Sequence, residues 1–139
     1  MIETPAACQI ADLLAKEADF FSIGTNDLTS YTMAADRGNA EVASLNSYFQ
    51  PAVLRSIRSV IRAGKEAGIM VGMCGEAAAD VKMIPLLLAF GLEEFSVNPV
   101  SVLKVRAQIH KWSMEQAECL TEKVMAAATE KEVLAAFDE

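Results

Sequence analysis

Histidine is almost missing from this chain. His110 stands alone among 139 residues, so a metal site built on several histidines is excluded. Cysteine is scarce: Cys8, Cys74 and Cys119 are odd in number, far apart and without a CxxC pair. That excludes a disulfide framework and a cysteine-rich zinc site, and it predicts a reduced, cytoplasmic protein. Basic residues are outnumbered, 12 Lys and Arg against 19 Asp and Glu, for a net charge of −7. Non-specific nucleic-acid binding and attraction to anionic membranes need a cationic surface, so neither is expected. Long apolar runs are lacking as well. The densest, Met83 to Leu92, is short and carries Pro85 and Gly91, whereas a membrane span needs about 20 apolar residues. Met1-Ile2-Glu3 shows neither a basic region nor an apolar stretch behind it, so no secretory leader is expected.

What is present is core material. Apolar residues make up 53% of the chain, enough for one folded domain over residues 1–139. Pro5 to Glu17 reads as a helix, with Thr4 as cap and Pro5 at the first helical position. Asp19 to Gly24 reads as a buried strand, and Asn26 to Ala35 as a helix capped by Asn26. An irregular segment follows, from Asp36-Arg37-Gly38-Asn39 to Gln50. Pro51 opens the clearest helix: Val53, Leu54, Ile57, Val60 and Ile61 share one face, and Gly68 lies past its end. Ile69 to Met73 is the next strand, Asp80 caps a helix through Ala89, Glu94 to Val97 is a third strand, and Val100 to Lys111 is helical. Two more helices open with capping boxes, Ser113 with Gln116 and Thr129 with Glu132.

Strands alternating with helices of about ten residues predict an α/β fold of parallel β/α units. The polar, glycine-bearing segments all follow strands: Glu3-Thr4-Pro5, Gly24-Thr25-Asn26-Asp27, Gly72-Met73-Cys74-Gly75-Glu76 and Ser96-Val97-Asn98. Ligands bind at those strand ends in such folds.

Several residues there could carry chemistry. Glu3 and Asp27 follow successive strand positions and could share a rim, where one or two carboxylates suffice for Mg²⁺; Asp27 also reads as a helix-start acid and Glu3 as a frayed terminal residue. Gly24 to Asp27 could offer backbone N–H groups to a phosphate, or form an ordinary βα turn. Arg37 could fork onto phosphate oxygens, or pair with Asp36. Cys74, between glycines after a strand, reads as functional: a free thiol titrates at about pH 8.5 and can donate a proton at neutral pH. Cys8 and Cys119 read as packing. Arg55, Arg58, Arg62 and Lys65 form the polar face of the Pro51 helix and read as solvated. His110 reads as a helix-end cation.

MIETPAA, DFFSIGTNDLTSYTMAADRGN, PAVLR, VGMCGEAAAD and IPLLLAFGLEEFSV, at their spacing, closely resemble the C-terminal domain of enzyme I. Enzyme I is the phosphoenolpyruvate–protein phosphotransferase of the bacterial sugar phosphotransferase system. The resemblance implies the second half of a (β/α)8 TIM-type barrel with extra C-terminal helices. It implies phosphoenolpyruvate and Mg²⁺ at the C-terminal rim, with Glu3 and Asp27 as metal ligands. Asn26, the amide of Asp27, and Arg37 would hold the phosphate, and Cys74 would protonate enolpyruvate at carbon 3. The full-length partner would be a histidine-containing phosphocarrier protein, and the lone half-barrel would be inactive. It would self-associate as a homodimer, because Phe21, Ile23, Met70, Val71 and Phe95 would face an open interior, unless the terminal helices from Ser113 onward fold back over that face and keep it monomeric; a partner that completes the barrel could also be a separately encoded first half. The alternatives are a stand-alone interaction or regulatory half-barrel module, or a fragment of a pyruvate phosphate dikinase or phosphoenolpyruvate synthase relative. Gln50 stands where enzyme I usually has histidine, and Val81 where many members have proline. Asn98-Pro99 is similar to the dikinase and synthase branch.

Overall fold

Prolines and glycines punctuate the chain into alternating strands and helices, as the computed structural model shows for residues 1–138. Three strands, β1 (Phe20–Gly24), β2 (Met70–Cys74) and β3 (Glu94–Phe95), lie side by side in that order, all parallel. Ile2 adds a parallel bridge to Ile23 on the outer edge of β1. Its N–H donates to the Ser22 carbonyl at 2.8 Å, and its own carbonyl accepts from the Gly24 N–H at 3.0 Å. The segment before Thr4 is thus the tip of a fourth parallel strand, and it brings Glu3 to the end of β1.

The expected first helix is two pieces, α1 (Pro5–Gln9) and α2 (Ala11–Leu14). Ile10 breaks it at φ −115°, ψ 21°. Cys8, Ala11 and Ala15 remain buried, so the break keeps the apolar stripe on the core. α3 (Thr25–Met33) starts one residue early, with Gly24 at its cap position and no side-chain cap. Asn26 is therefore inside the helix, and its side chain is used elsewhere. α4 (Pro51–Ala67) matches its pattern: Val53, Leu54, Ile57, Val60 and Ile61 are at most 1% exposed. Gly64 allows β2 to approach, since a Cβ there would lie 2.2 Å from Val71 Cγ2.

α5 (Met83–Phe90) begins three residues after Asp80, because the Asp80 carboxylate accepts from the Lys82 N–H and the Tyr48 hydroxyl. β3 stops at Phe95, two residues short of expectation. A 3₁₀ turn (Pro99–Ser101) then leads into α6 (Val102–Ile109), and α7 (Met114–Ala126) and α8 (Glu130–Ala135) complete the chain. Ser113 and Gln116 form the expected capping box. The second box is half formed: Thr129 accepts from the Glu132 N–H, while the Glu132 carboxylate accepts from Ala128. Gln50 donates to the Glu130 carboxylate at 2.9 Å and ties α8 to the start of α4.

The sheet has two unlike faces. Phe21, Ile23, Val71 and Met73 are buried against the helices, and Phe95 packs on the same core. In register on the opposite face stand Phe20 beside Met70, Ser22 beside Gly72 and Glu94, and Gly24 beside Cys74. This corrects the expectation that Phe21, Ile23, Val71 and Phe95 face an open interior. The period of two sends them to the helix layer. Of the five, only Met70 lies on the uncovered face, where Phe20 is 57% and Met70 42% exposed.

Ile57 is the test of this core. Ile57→Ala is expected to lower unfolding free energy by about 2–5 kcal/mol, since it leaves a cavity in a fully buried site. Lys65→Ala, exposed on the same helix, stays within about 0.5 kcal/mol of the parent. Urea unfolding of both variants measures the contrast, and equal losses would contradict the packing described.

Candidate functional site

The ends of β1 and β2 are bolted together by Thr25. Its side chain is fully buried, and its hydroxyl donates to the Cys74 carbonyl at 3.0 Å. Thr29, one turn on, donates to the Thr25 carbonyl at 2.7 Å. Gly75 sits directly on this joint at φ +98°, ψ −176°, a region open almost only to glycine. A Cβ at that position would lie 2.4 Å from the Thr25 hydroxyl oxygen and 3.2 Å from Asn26 Oδ1. Asn26 Oδ1 then accepts the Glu76 N–H at 3.2 Å. Its Nδ2 group, two donors, has no protein partner among the described residues.

Cys74 ends β2, half-buried, on the uncovered face of the sheet. Its thiol donates towards the Ile23 carbonyl at 3.6 Å and accepts from the Ser22 hydroxyl at 3.7 Å. These are the long contacts expected of sulfur, a weak donor and acceptor. The other two cysteines lie elsewhere: Cys8 is buried in α1 and Cys119 exposed on α7. Burial pushes the Cys8 thiol up to about 11.

Glu3 lies over the end of β1, since a Cβ on Gly24 would come within 2.8 Å of Glu3 Oε2. Asp27 stands in the first turn of α3 and faces Arg37, with Oδ1 3.5 Å from Nη2. Their side chains are 45% and 58% exposed, so water screens the pair and it holds Arg37 only loosely. Pairing of Arg37 with Asp36, the alternative drawn from sequence, is not what forms. Asp36 instead accepts from the Gly38 N–H at 2.7 Å and closes the DRGN turn. That loop is moored by Asn46, whose Nδ2 donates to the Ser30 hydroxyl and the Ala35 carbonyl. Among the described residues no cluster of three or more His, Cys, Asp or Glu is placed to hold a metal. Glu3 and Asp27 supply carboxylates near the end of β1, and one or two carboxylates are a donor set that could hold Mg²⁺, which keeps several waters and takes substrate phosphate oxygens.

Two clefts open at these strand ends. One, ≈ 320 Å³, is lined by Asn26, Thr29, Arg37, Asn46, Tyr48 and Glu76. The other, ≈ 630 Å³, takes in Gly75, Asp80, Ser96, Asn98 and Lys104. Asn26, Tyr48 and Glu76 border both. The match to known families decides what this rim belongs to. Residues 1–114 match the family described as PEP-utilising enzyme, PEP-binding domain. The chain belongs to this phosphoenolpyruvate-binding family. It is 51% identical over 139 residues to the phosphoenolpyruvate-protein phosphotransferase of Bacillus subtilis (strain 168), covering 100% of this chain and 24% of that protein. The protein of the same name from Geobacillus stearothermophilus is 53% identical over 134 residues, 96% of this chain and 23% of its own length. That of Lactococcus lactis subsp. lactis (strain IL1403) is 48% identical over 140 residues, with 100% and 24% covered. The chain therefore spans about a quarter of the length of the curated relatives it matches.

In this PEP-binding-family chain the structure brings Asn26, Asp27, Arg37 and Cys74 to one end of the sheet, with Glu3 beside Gly24. Tyr48 is not singled out by the sequence, and Asp80 is read there only as a helix cap. Tyr48 donates to Asp80 Oδ2 at 2.6 Å across 32 residues and clamps the Arg37 loop to the loop after β2. Burial, and then the bond to Asp80, push its phenol well above the ordinary tyrosine range. The available signal was a Tyr48-Phe49 pair inside an otherwise polar irregular segment.

The three thiols give a direct check of this placement. With its thiol near 11, Cys8 carries about one thiolate in a thousand at pH 8, and it is buried as well. Alkylation of the native chain at pH 8, followed by peptide mass mapping, is expected to label Cys119 and Cys74 and to reach Cys8 only after unfolding. Labelling of all three at similar rates in the native chain would contradict it.

Proposed function

We propose that this chain is the phosphoenolpyruvate- and Mg²⁺-binding rim of a phosphoenolpyruvate–protein phosphotransferase that feeds sugar uptake in the cytoplasm. The observation that carries the reading is the convergence of Asn26, Asp27, Arg37 and Cys74 at the C-terminal ends of parallel strands. A phosphate here meets the free Nδ2 donors of Asn26, the first-turn amides of α3 and the Arg37 guanidinium. These are the groups that recognise a phosphoryl oxygen. Glu3 and Asp27 are the residues that would hold Mg²⁺, and a bound Mg²⁺ neutralises charge on the transferring phosphoryl group. Arg37 is loosely held by Asp27, so it can exchange that carboxylate for a phosphate.

The reaction breaks the bond between phosphorus and the enol oxygen. The phosphoryl group passes to a histidine nitrogen outside this chain and then to a histidine-containing phosphocarrier protein. The bonding pair stays on the enol oxygen, and the enolate of pyruvate is left behind. Cys74 would give its thiol proton to carbon 3 of that enolate, which yields pyruvate and a thiolate to be reprotonated from solvent. Its thiol lies on the uncovered sheet face, next to Gly75 and the Ser22 hydroxyl.

The uncovered face fits a sector of a (β/α)8 barrel, with Ser22, Gly72, Glu94 and Cys74 turned to the ring interior. Phe20 and Met70 would be covered by the remaining strands of the ring, or by a second copy of the chain in a homodimer. On this reading the isolated chain does not complete a transfer cycle.

In a complete enzyme carrying this segment, Cys74→Ala is expected to slow pyruvate formation by about 10²–10⁴-fold, the usual worth of a general acid. Phosphoenolpyruvate affinity would stay nearly intact. Rapid-quench measurement of pyruvate beside equilibrium substrate binding makes the comparison. An unchanged rate of pyruvate formation would refute the acid role.

A further inference from the structure

The outer face of α4 carries a charge pattern that the rim does not use. Arg55, Arg58 and Arg62 fall within an arc of about 60° and span about 10 Å along the helix axis. Together with Ser59 and with Met125 of α7 they line a cleft of ≈ 330 Å³. No residue of this cleft belongs to either rim cleft.

Ordinary solvated helix faces mix the two signs, and this chain has acidic residues to spare, 19 against 12 basic ones. Arg55 and Arg58 nevertheless have no carboxylate within ion-pair distance among the described residues. Arg62 has only Glu66 of its own helix, at 3.8 Å, with both side chains about 70% exposed. Like charges three and four residues apart, as in Arg55 with Arg58 and Arg58 with Arg62, destabilise a helix. Among the described residues the one ion pair that the row makes is Arg62 with Glu66. All three are arginine, whose planar fork matches phosphate oxygens in pairs. One residue of a second helix, Met125 of α7, borders the row and offers an apolar surface to a carbon skeleton.

We propose that the α4–α7 cleft is a binding site for a small molecule carrying two phosphate groups, with Arg58 shared between them and Arg55 and Arg62 at the two ends. Such a ligand would act away from the strand ends, so the site stands independently of the function proposed for the rim.

Isothermal titration of the chain with inorganic pyrophosphate, a hexose 1,6-bisphosphate and inorganic phosphate tests it. At least one two-phosphate probe is expected to bind tenfold or more tightly than inorganic phosphate. Preference for pyrophosphate would indicate adjacent phosphates, and preference for the hexose compound phosphates separated by a carbon skeleton. Arg58→Gln, and separately Arg55→Gln, should weaken that binding tenfold or more. Both side chains are exposed, and circular dichroism checks that each variant is folded. Arg37→Gln, at the rim, should leave the affinity unchanged. The proposal is overturned if neither probe exceeds inorganic phosphate tenfold, if both α4 variants bind as the parent does, or if Arg37→Gln removes the binding.

Discussion

Everything placed at the rim hangs from the contact between Thr25 and the turn after β2. Most buried hydroxyls are hydrogen-bonded, and the Thr25 hydroxyl donates to the Cys74 carbonyl, the last of its strand. Gly75 has to be glycine twice over, for its positive φ and for the hydroxyl oxygen 2.4 Å from where a Cβ would stand. From this single joint Asn26 and Asp27 are carried on one side, Cys74 and Glu76 on the other. The Asn26 side chain closes the joint by accepting the Glu76 N–H, and its amide nitrogen has no protein partner among the described residues.

A second constraint sorts the sheet. Helices cover one face only, and the period-two alternation places Phe21, Ile23, Val71 and Met73 beneath them. The same alternation leaves Ser22, Gly72 and Cys74 on the other face, which is small and polar towards the strand ends and apolar only at Phe20 and Met70. The uncovered face at the rim and the packing under the helices are thus supplied by alternate residues of the same short strands. α4 provides the anchor, with five fully buried aliphatic side chains beneath the sheet and Gly64 letting β2 come close.

Much of this was legible in the sequence where a pattern is local. The apolar stripe of α4, the strand runs before Gly24 and Cys74, the Thr4 cap and the Ser113 capping box all depend on neighbours within a turn or two. The rim residues were legible because glycine-bearing polar segments follow each strand, and the family resemblance named the same positions. What could not be read depends on tertiary contact. Asn26 resembles a cap, but its partner is Glu76, fifty residues away. Asp80 likewise resembles a cap, and Tyr48 takes half of its carboxylate. Which strand side chains face the helices is a question of register, and apolar runs such as DFFSIG look alike on both faces. The break at Ile10 leaves no composition signal, because the buried positions on both sides of it keep helical spacing.

On the function proposed for the rim, Glu3, at the strand tip beside Ile2, and Asp27, in the first turn of α3, would form a divalent-cation site. Manganese, an oxygen-seeking octahedral stand-in for magnesium, can be titrated into the chain while water-proton relaxation is recorded. The account predicts weak binding, since two carboxylates leave most of the coordination shell to water, and its loss in Asp27→Ala and in Glu3→Ala alike. An Asp27→Ala chain that binds manganese as well as the parent would contradict it.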